Sequence, residues 1–90
     1  MPEIKFTHAL KRFFPQLKET KTNGSSLSEI ITEMNSKFPG LRNYVLDDQG
    51  SLRKHVNIFI DGKVIEDRAG LSDSFNKDSE IYIIQALSGG

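Results

Sequence analysis

A single strong helical pattern lies near the middle of the chain, and it limits the folds open to the rest. Its apolar residues recur at helical spacing and form one stripe: Leu27, Ile30, Ile31, Met34 and Phe38. Ser26 followed by Glu29 matches a capping box at the start, and Pro39-Gly40 predicts the end. A helix with one apolar stripe must bury it against another element, so the flanking segments decide the fold.

The segment before the helix predicts a hairpin. Residues 2–6 alternate apolar and polar side chains, as in a half-buried strand, and residues 16–21 predict a weaker second strand. Residues 7–15 are interpreted as an irregular loop in which Phe13 or Phe14 plugs the core. Two strands therefore precede the helix.

The segment after the helix predicts three more strands. Residues 41–52 fit a short turn of helix followed by a loop, and residues 53–60 give the clearest strand pattern. Asp61-Gly62 then indicates a hairpin turn into a short return strand at residues 63–65. Residues 81–84 form the last predicted strand.

The order of these elements is strand, strand, helix, strand, short strand, strand, which is an α+β arrangement. Residues 66–80 lack the periodicity of a second long helix, so a ferredoxin-like plan does not fit. The first and last strands are both apolar, which suits neighbours in the middle of a sheet. The sequence therefore predicts the β-grasp (ubiquitin-like) fold: a mixed sheet of four to five strands with one main helix packed across one face.

The composition argues against several classes of protein. The chain has 90 residues, which predicts one domain. Its 12 basic and 12 acidic side chains cancel, so we expect no nucleic-acid partner. No apolar run approaches the ~20 residues of a membrane span. We therefore expect no membrane partner. The chain also has no cysteine, so we expect no disulfide and no thiolate chemistry, and we expect a cytoplasmic protein.

The sequence shows no catalytic constellation, so we expect no enzyme activity, metal site or bound cofactor. His8 and His55 lie far apart and outside any metal-ligand spacing. The acidic pair Glu66-Asp67 is interpreted as a solvated part of a loop.

The outer face of the predicted sheet carries an aromatic and aliphatic patch. If the alternate residues of each strand face the helix, Phe59, Tyr82 and Ile84 point the other way. Apolar side chains grouped on an open sheet face predict a partner interface. The alternative is that the 7–15 loop covers them.

Residues 86–90 follow the last strand and predict a flexible C-terminal segment distinct from the domain at residues 1–85. The sequence places Gly89 and Gly90 at its end. Glycine has no Cβ and fits a channel too narrow for other residues. An α-carboxylate has a pKa of about 3.3–3.7, so at Gly90 it would be an anion at neutral pH.

Three stretches together resemble the ThiS/MoaD family of ubiquitin-like sulfur-carrier proteins. They are HVNIFIDGK at residues 55–63, GL-x-x-x-F-x-KDSEI at residues 70–81 and ALSGG at residues 86–90. The first of these and residues 41–54 look most similar to the branch that includes CysO, followed by the MoaD type. Residues 85–88 depart from the proline and small apolar residues often found there in the family.

The resemblance implies a mechanism in which partners supply all catalysis. A MoeB/ThiF-like adenylating enzyme would use ATP to adenylate the Gly90 carboxylate. Sulfur transfer would then give a thiocarboxylate that a sulfur-accepting synthase uses in cysteine or molybdopterin-type biosynthesis. The resemblance assigns Leu87, Ser88 and Gly89 to the channel of the activating enzyme, and Phe59, Tyr82 and Ile84 to its docking surface.

Two other functions remain open from the sequence. The protein is a modifier if Gly90 is joined to lysines of target proteins through an isopeptide bond. It is a non-covalent ubiquitin-like interaction module if the di-glycine is incidental.

Overall fold

The computed structural model describes residues 1–85, in which one sheet is covered on one face by helices. The strands are β1 (Glu3–Phe6), β2 (Thr20–Lys21), β3 (Val56–Ile60), β4 (Lys63–Val64) and β5 (Glu80–Gln85). The helices are α1 (His8–Phe13), α2 (Leu27–Lys37) and α3 (Leu41–Val45). The main predicted elements are therefore confirmed, with α1 as an addition.

The sheet has the strand order β2-β1-β5-β3-β4. The central pair, β1 and β5, is parallel and places Ile4 opposite Ile81. The other pairs are antiparallel, and β3 places Ile58 opposite Ile83. This is the predicted β-grasp topology, with the first and last strands side by side in the middle.

One core lies between the sheet and the helices. The core-facing residues Ile4, Ile58 and Ile83 of β1, β3 and β5 are fully buried, and they form one cluster with the buried residues of α2. The helix begins as the capping box predicts, because Ser26 Oγ accepts a hydrogen bond from the Glu29 N–H at 3.1 Å. The Glu29 carboxylate, however, accepts from the backbone N–H and the hydroxyl of Ser25, which lower the pKa of Glu29.

The segment at residues 7–15 is not the irregular loop that its short pattern suggests. It forms α1, in which Ala9 and Leu10 are buried in the core. A helix of six residues is unstable alone, so this packing is what stabilises it. The predicted strand at residues 16–21 is correspondingly reduced to Thr20–Lys21.

The predicted hairpin turn between β3 and β4 is confirmed. Asp61 and Gly62 have φ angles of 51° and 85°, as a type I′ turn requires. The Asp61 carboxylate also accepts hydrogen bonds from the Glu80 N–H and the Ser79 hydroxyl, each at 2.9 Å. These two donors lower the pKa of Asp61, with the Glu80 N–H as the larger cause. The turn therefore anchors the start of β5.

The sequence predicted that the pair Glu66-Asp67 only contacts solvent. In the structure the pair takes part in hydrogen bonds within its loop. Asp67 accepts hydrogen bonds from the Gly70 N–H at 2.7 Å and from the Ser72 hydroxyl. Asp73 in turn accepts from the N–H groups of Glu66 and Asp67, at 3.0 and 2.8 Å. The loop between β4 and β5 is thus held by carboxylates that accept from its own backbone.

Candidate functional site

The outer face of the sheet brings together the three residues that the sequence assigned to a partner interface. Phe59 of β3 is directly opposite Tyr82 of β5, and Ile84 is opposite Asn57 in the next row. The three side chains are half-buried and lie on the face away from the helices. The two-residue period of β3 and β5 correctly predicted this face. The interface role itself stays a prediction.

Val64 extends this patch, and the sequence analysis missed it. It pairs with Phe59 in the β3–β4 hairpin, and its side chain is 46% exposed. The sequence did hold a signal for Val64: a hairpin turn at Asp61-Gly62 places Val64 opposite Phe59, on the same face of the sheet. Phe59, Tyr82, Ile84 and Val64 are called the outer patch below.

Polar groups frame the outer patch on two sides. Lys5 lies opposite Tyr82 on β1 and makes an ion pair of 3.1 Å with Glu80. The hydrogen bond from Lys5 to Glu80 raises the pKa of this lysine. At the other side, the Arg68 guanidinium donates to the side chain of Asn57. An apolar centre with a polar rim is the usual anatomy of a protein–protein interface.

The end of β5 is a second notable place, because residues 86–90 continue from it. The Gln85 backbone N–H donates to the hydroxyl of Thr7 at 3.2 Å. The Gln85 side-chain Nε2 donates to the hydroxyl of Tyr44 at 2.9 Å. Gln85 Oε1 is buried and accepts no hydrogen bond from any residue within 1–85. Sequence reasoning gave no role to Gln85 or Tyr44.

Two aromatic rings lie against Tyr44. The ring of Phe13 is 5.0 Å from it and tilted, and the ring of Phe14 is 5.7 Å away in an edge-on contact. Phe14 is partly buried against the core, as the predicted plug requires, whereas Phe13 is 60% exposed. Because α1 packs into the core on the helix side, the alternative that residues 7–15 cover the outer patch is wrong.

Other predicted features give no further site within residues 1–85. His8 and His55 are both exposed, and no group of three potential metal ligands occurs in this part of the chain. Nor does any of its helices have the length and apolar character needed to cross a membrane. The assigned channel and activation residues, Leu87, Ser88, Gly89 and Gly90, lie outside the described residues.

The fold is shared with several small proteins of known structure. The Amycolatopsis orientalis BexX/CysO complex contains a chain that matches with a TM-score of 0.83, 18% identity and 100% coverage of both chains. Small archaeal modifier protein 1 from Methanosarcina acetivorans matches with a TM-score of 0.78 and 24% identity, over 99% of this chain and 95% of that chain. At these identities the likeness shows the fold alone.

A third structural match points to the same group of folds. Sulfolobus solfataricus Urm1 has a TM-score of 0.69 and 24% identity, over 93% of this chain and 99% of that chain. No curated protein matches the sequence significantly. The ThiS family model, in contrast, matches residues 4–90, which is nearly the whole sequence and includes the di-glycine. The chain therefore belongs to the ThiS family.

Proposed function

We propose that this protein is a sulfur carrier whose working group is the α-carboxylate of Gly90. The observation that carries the proposal is the family match, which spans both the β-grasp domain and residues 86–90. The domain docks through the outer patch on a MoeB/ThiF-like adenylating enzyme. Leu87, Ser88 and Gly89 then pass through the enzyme's channel and deliver the carboxylate. The partner uses ATP, and this chain binds no cofactor of its own.

The proposed chemistry has two steps. The Gly90 carboxylate attacks the α-phosphorus of ATP, which forms an acyl adenylate and releases pyrophosphate. Hydrosulfide then attacks the acyl carbon, AMP leaves, and a thiocarboxylate remains. If the donor is a persulfide, the product is an acyl persulfide, and a thiol must reduce its S–S bond to give the same thiocarboxylate. A synthase finally takes the sulfur for cysteine or molybdopterin-type biosynthesis.

The structure supports this proposal through the outer patch. Phe59 and Tyr82 are adjacent on the two strands, and β5 itself continues into the C-terminal segment. An extended chain covers at most about 3.3–3.6 Å per residue, so Gly90 lies within about 16–18 Å of Gln85. An enzyme that binds the carboxylate is therefore held close to the sheet.

Reconstitution tests the proposal. The purified chain is incubated with the MoeB/ThiF-like enzyme of the same organism, ATP and labelled pyrophosphate, and ATP–pyrophosphate exchange is measured. With sulfide added, the intact mass must rise by the difference between one sulfur and one oxygen atom. A variant lacking Gly90 is the control and must show neither signal. Absence of exchange and of the mass change with the complete chain would contradict the proposal.

A protein-modifier function is the second candidate. It is favoured by the structural match to a protein named as a small archaeal modifier. Adducts on lysines of other proteins, carrying residues 86–90 through an isopeptide bond, would identify it. If deletion of Gly89 and Gly90 left cellular function intact, only the third candidate, a non-covalent interaction module, would remain.

A further inference from the structure

The end of β5 carries groups that neither the core nor the outer patch uses. Gln85 follows the alternation of Ile81 and Ile83, and its side chain bonds to Tyr44 of α3, so it lies on the helix side of the sheet. Tyr44 contacts the exposed ring of Phe13. Phe13, Tyr44 and Gln85 are called the tail-root surface below, because residues 86–90 begin there.

The exposure of Phe13 is unusual for its size. It is one of three large hydrophobic side chains that are strongly exposed within residues 1–85, together with Met1 and Val64. Beside it is an open cleft of about 260 Å³, whose walls include Phe14, Pro15 and Phe38. An exposed ring at the edge of an apolar cleft is the arrangement found at interface anchors.

The side chain of Gln85 joins the end of β5 to the aromatic rings of the tail-root surface. Oε1 has no hydrogen-bond donor among residues 1–85, although a buried acceptor without a donor is costly. Its own Nε2 and its backbone N–H are both satisfied. Because Nε2 bonds to Tyr44 and Tyr44 contacts Phe13, the position of the Phe13 ring is set relative to Gln85.

The charged residues near Phe13 indicate what kind of surface a partner would present. The chain has no net charge, yet α1 and the residues that line the cleft include Lys11, Arg12 and Lys37 and no carboxylate. Arg12 is exposed and directly precedes Phe13. The surface around Phe13 is therefore locally basic, and it complements an acidic surface.

The length of the C-terminal segment limits how far the enzyme of the proposed function can lie from the domain. Any enzyme that encloses Gly90 must approach within about 16–18 Å of Gln85, because five residues reach no further. Gln85 is in direct contact with Tyr44, and Tyr44 with Phe13. An enzyme that reaches Gly90 therefore has the tail-root surface within its range.

We propose that the tail-root surface is a second docking surface for the enzyme that adenylates Gly90, on the side of the sheet opposite to the outer patch. The enzyme presents an acidic rim near Arg12 and an apolar side chain for the cleft beside Phe13. This inference rests on the proposed function.

The test measures the KM of the adenylating enzyme for this chain, by ATP–pyrophosphate exchange at two salt concentrations. Phe13→Ala is expected to raise KM by about 5–10-fold with kcat unchanged, because an interface anchor is lost. Phe13→Tyr keeps the ring and restores the KM. Arg12→Glu raises KM at low salt and has less effect at high salt, because salt screens exposed charges.

Lys77→Glu is the matched control for the charge reversal. Lys77 is exposed and precedes β5, at the far end of the strand from Gln85. It must leave KM unchanged at both salt concentrations. Circular dichroism confirms that each variant is folded, which the exposure of both Phe13 and Arg12 favours.

The outcomes separate the two proposals. If the unaltered chain supports exchange but Phe13→Ala and Arg12→Glu both keep KM within about twofold of it, the tail-root surface is not an interface and the carrier function stands. If the unaltered chain supports no exchange, the proposed function fails and this inference fails with it. An equal rise in KM for Lys77→Glu would show a non-specific charge effect and overturn the inference.

Discussion

The two ends of β5 differ in how completely their polar groups are satisfied. At the start, Ser79 and Glu80 donate to the Asp61 carboxylate, and the Ser79 carbonyl accepts from the Glu3 N–H at 3.1 Å. At the end, Gln85 has a buried carbonyl without a donor in residues 1–85, close to aromatic rings. The comparison shows that the start of the strand is held by more hydrogen bonds than its end, which is the part for which a partner is proposed.

The middle of β5 should give the largest effect on stability. Ile83 is 1% exposed and faces the core, whereas its neighbour Ile84 is half-buried on the outer patch. We expect Ile83→Ala to lower the free energy of unfolding by about 2–5 kcal/mol, because it leaves a cavity. Chemical denaturation measures this loss.

Ile84→Ala is the matched control, with the same change one residue away. It should cost less than about 1.5 kcal/mol but raise the KM of the adenylating enzyme. Equal losses of stability at the two positions would contradict the separation between core face and partner face.

The start of β5 should give the next largest effect. The hydroxyl of Ser79 is buried, donates to Asp61 and accepts from the Asn76 N–H at 2.9 Å. Ser79→Ala therefore removes two hydrogen bonds and should lower the free energy of unfolding by about 1–3 kcal/mol. The exposed Ser74 is the control for denaturation, and Ser74→Ala should change little. A neutral Ser79→Ala would show that this end is not the anchored one.

The end of β5 should separate stability from function. Gln85→Met keeps the length of the side chain and removes both amide groups. Loss of the bond to Tyr44 is offset by removal of the unpaired carbonyl, so the free energy of unfolding should change by less than about 1 kcal/mol. The KM of the adenylating enzyme should nevertheless rise severalfold, because Gln85 holds Tyr44, against which the ring of Phe13 lies. Gln49→Met, at an exposed glutamine, is the control. A large loss of stability for Gln85→Met but not for Gln49→Met would show that Gln85 is a structural residue.

The smallest effect concerns pH. Hydrogen bonds from Glu80 and Ser79 lower the pKa of Asp61 in the folded protein below its unfolded value of about 3.9. The stabilisation that the Asp61 carboxylate provides is therefore present above about pH 3.9 and is lost as the pH falls through the lower, folded pKa. Asparagine tolerates the positive φ at this position. Asp61→Asn should therefore have a lower Tm than the unaltered chain at pH 7, and the two Tm values should approach each other at pH 3. Thermal melts at both pH values test this. Asp48→Asn, at an exposed loop residue, should show no such convergence.

Sequence patterns predicted the parts of the molecule that depend on short-range periodicity. The alternation of β3 and β5 assigned Phe59 and Tyr82 to one face, and the stripe of α2 identified the core helix. Helix α1 was missed because tertiary packing of Leu10, rather than its brief pattern, stabilises it. The bond between Tyr44 and Gln85 joins residues 41 positions apart, and no local pattern reports such a contact.

The parallel pairing of β1 with β5 has a consequence for how the chain is made. Ile4 is synthesised 77 residues before its partner Ile81, so the centre of the sheet cannot close until β5 has left the ribosome. Contacts between such distant residues also form slowly, because a long loop must close first. The strand that leads to Gly90 is thus the one that completes the fold, and a nascent chain stopped before β5 leaves the core side of β1 without its central neighbour.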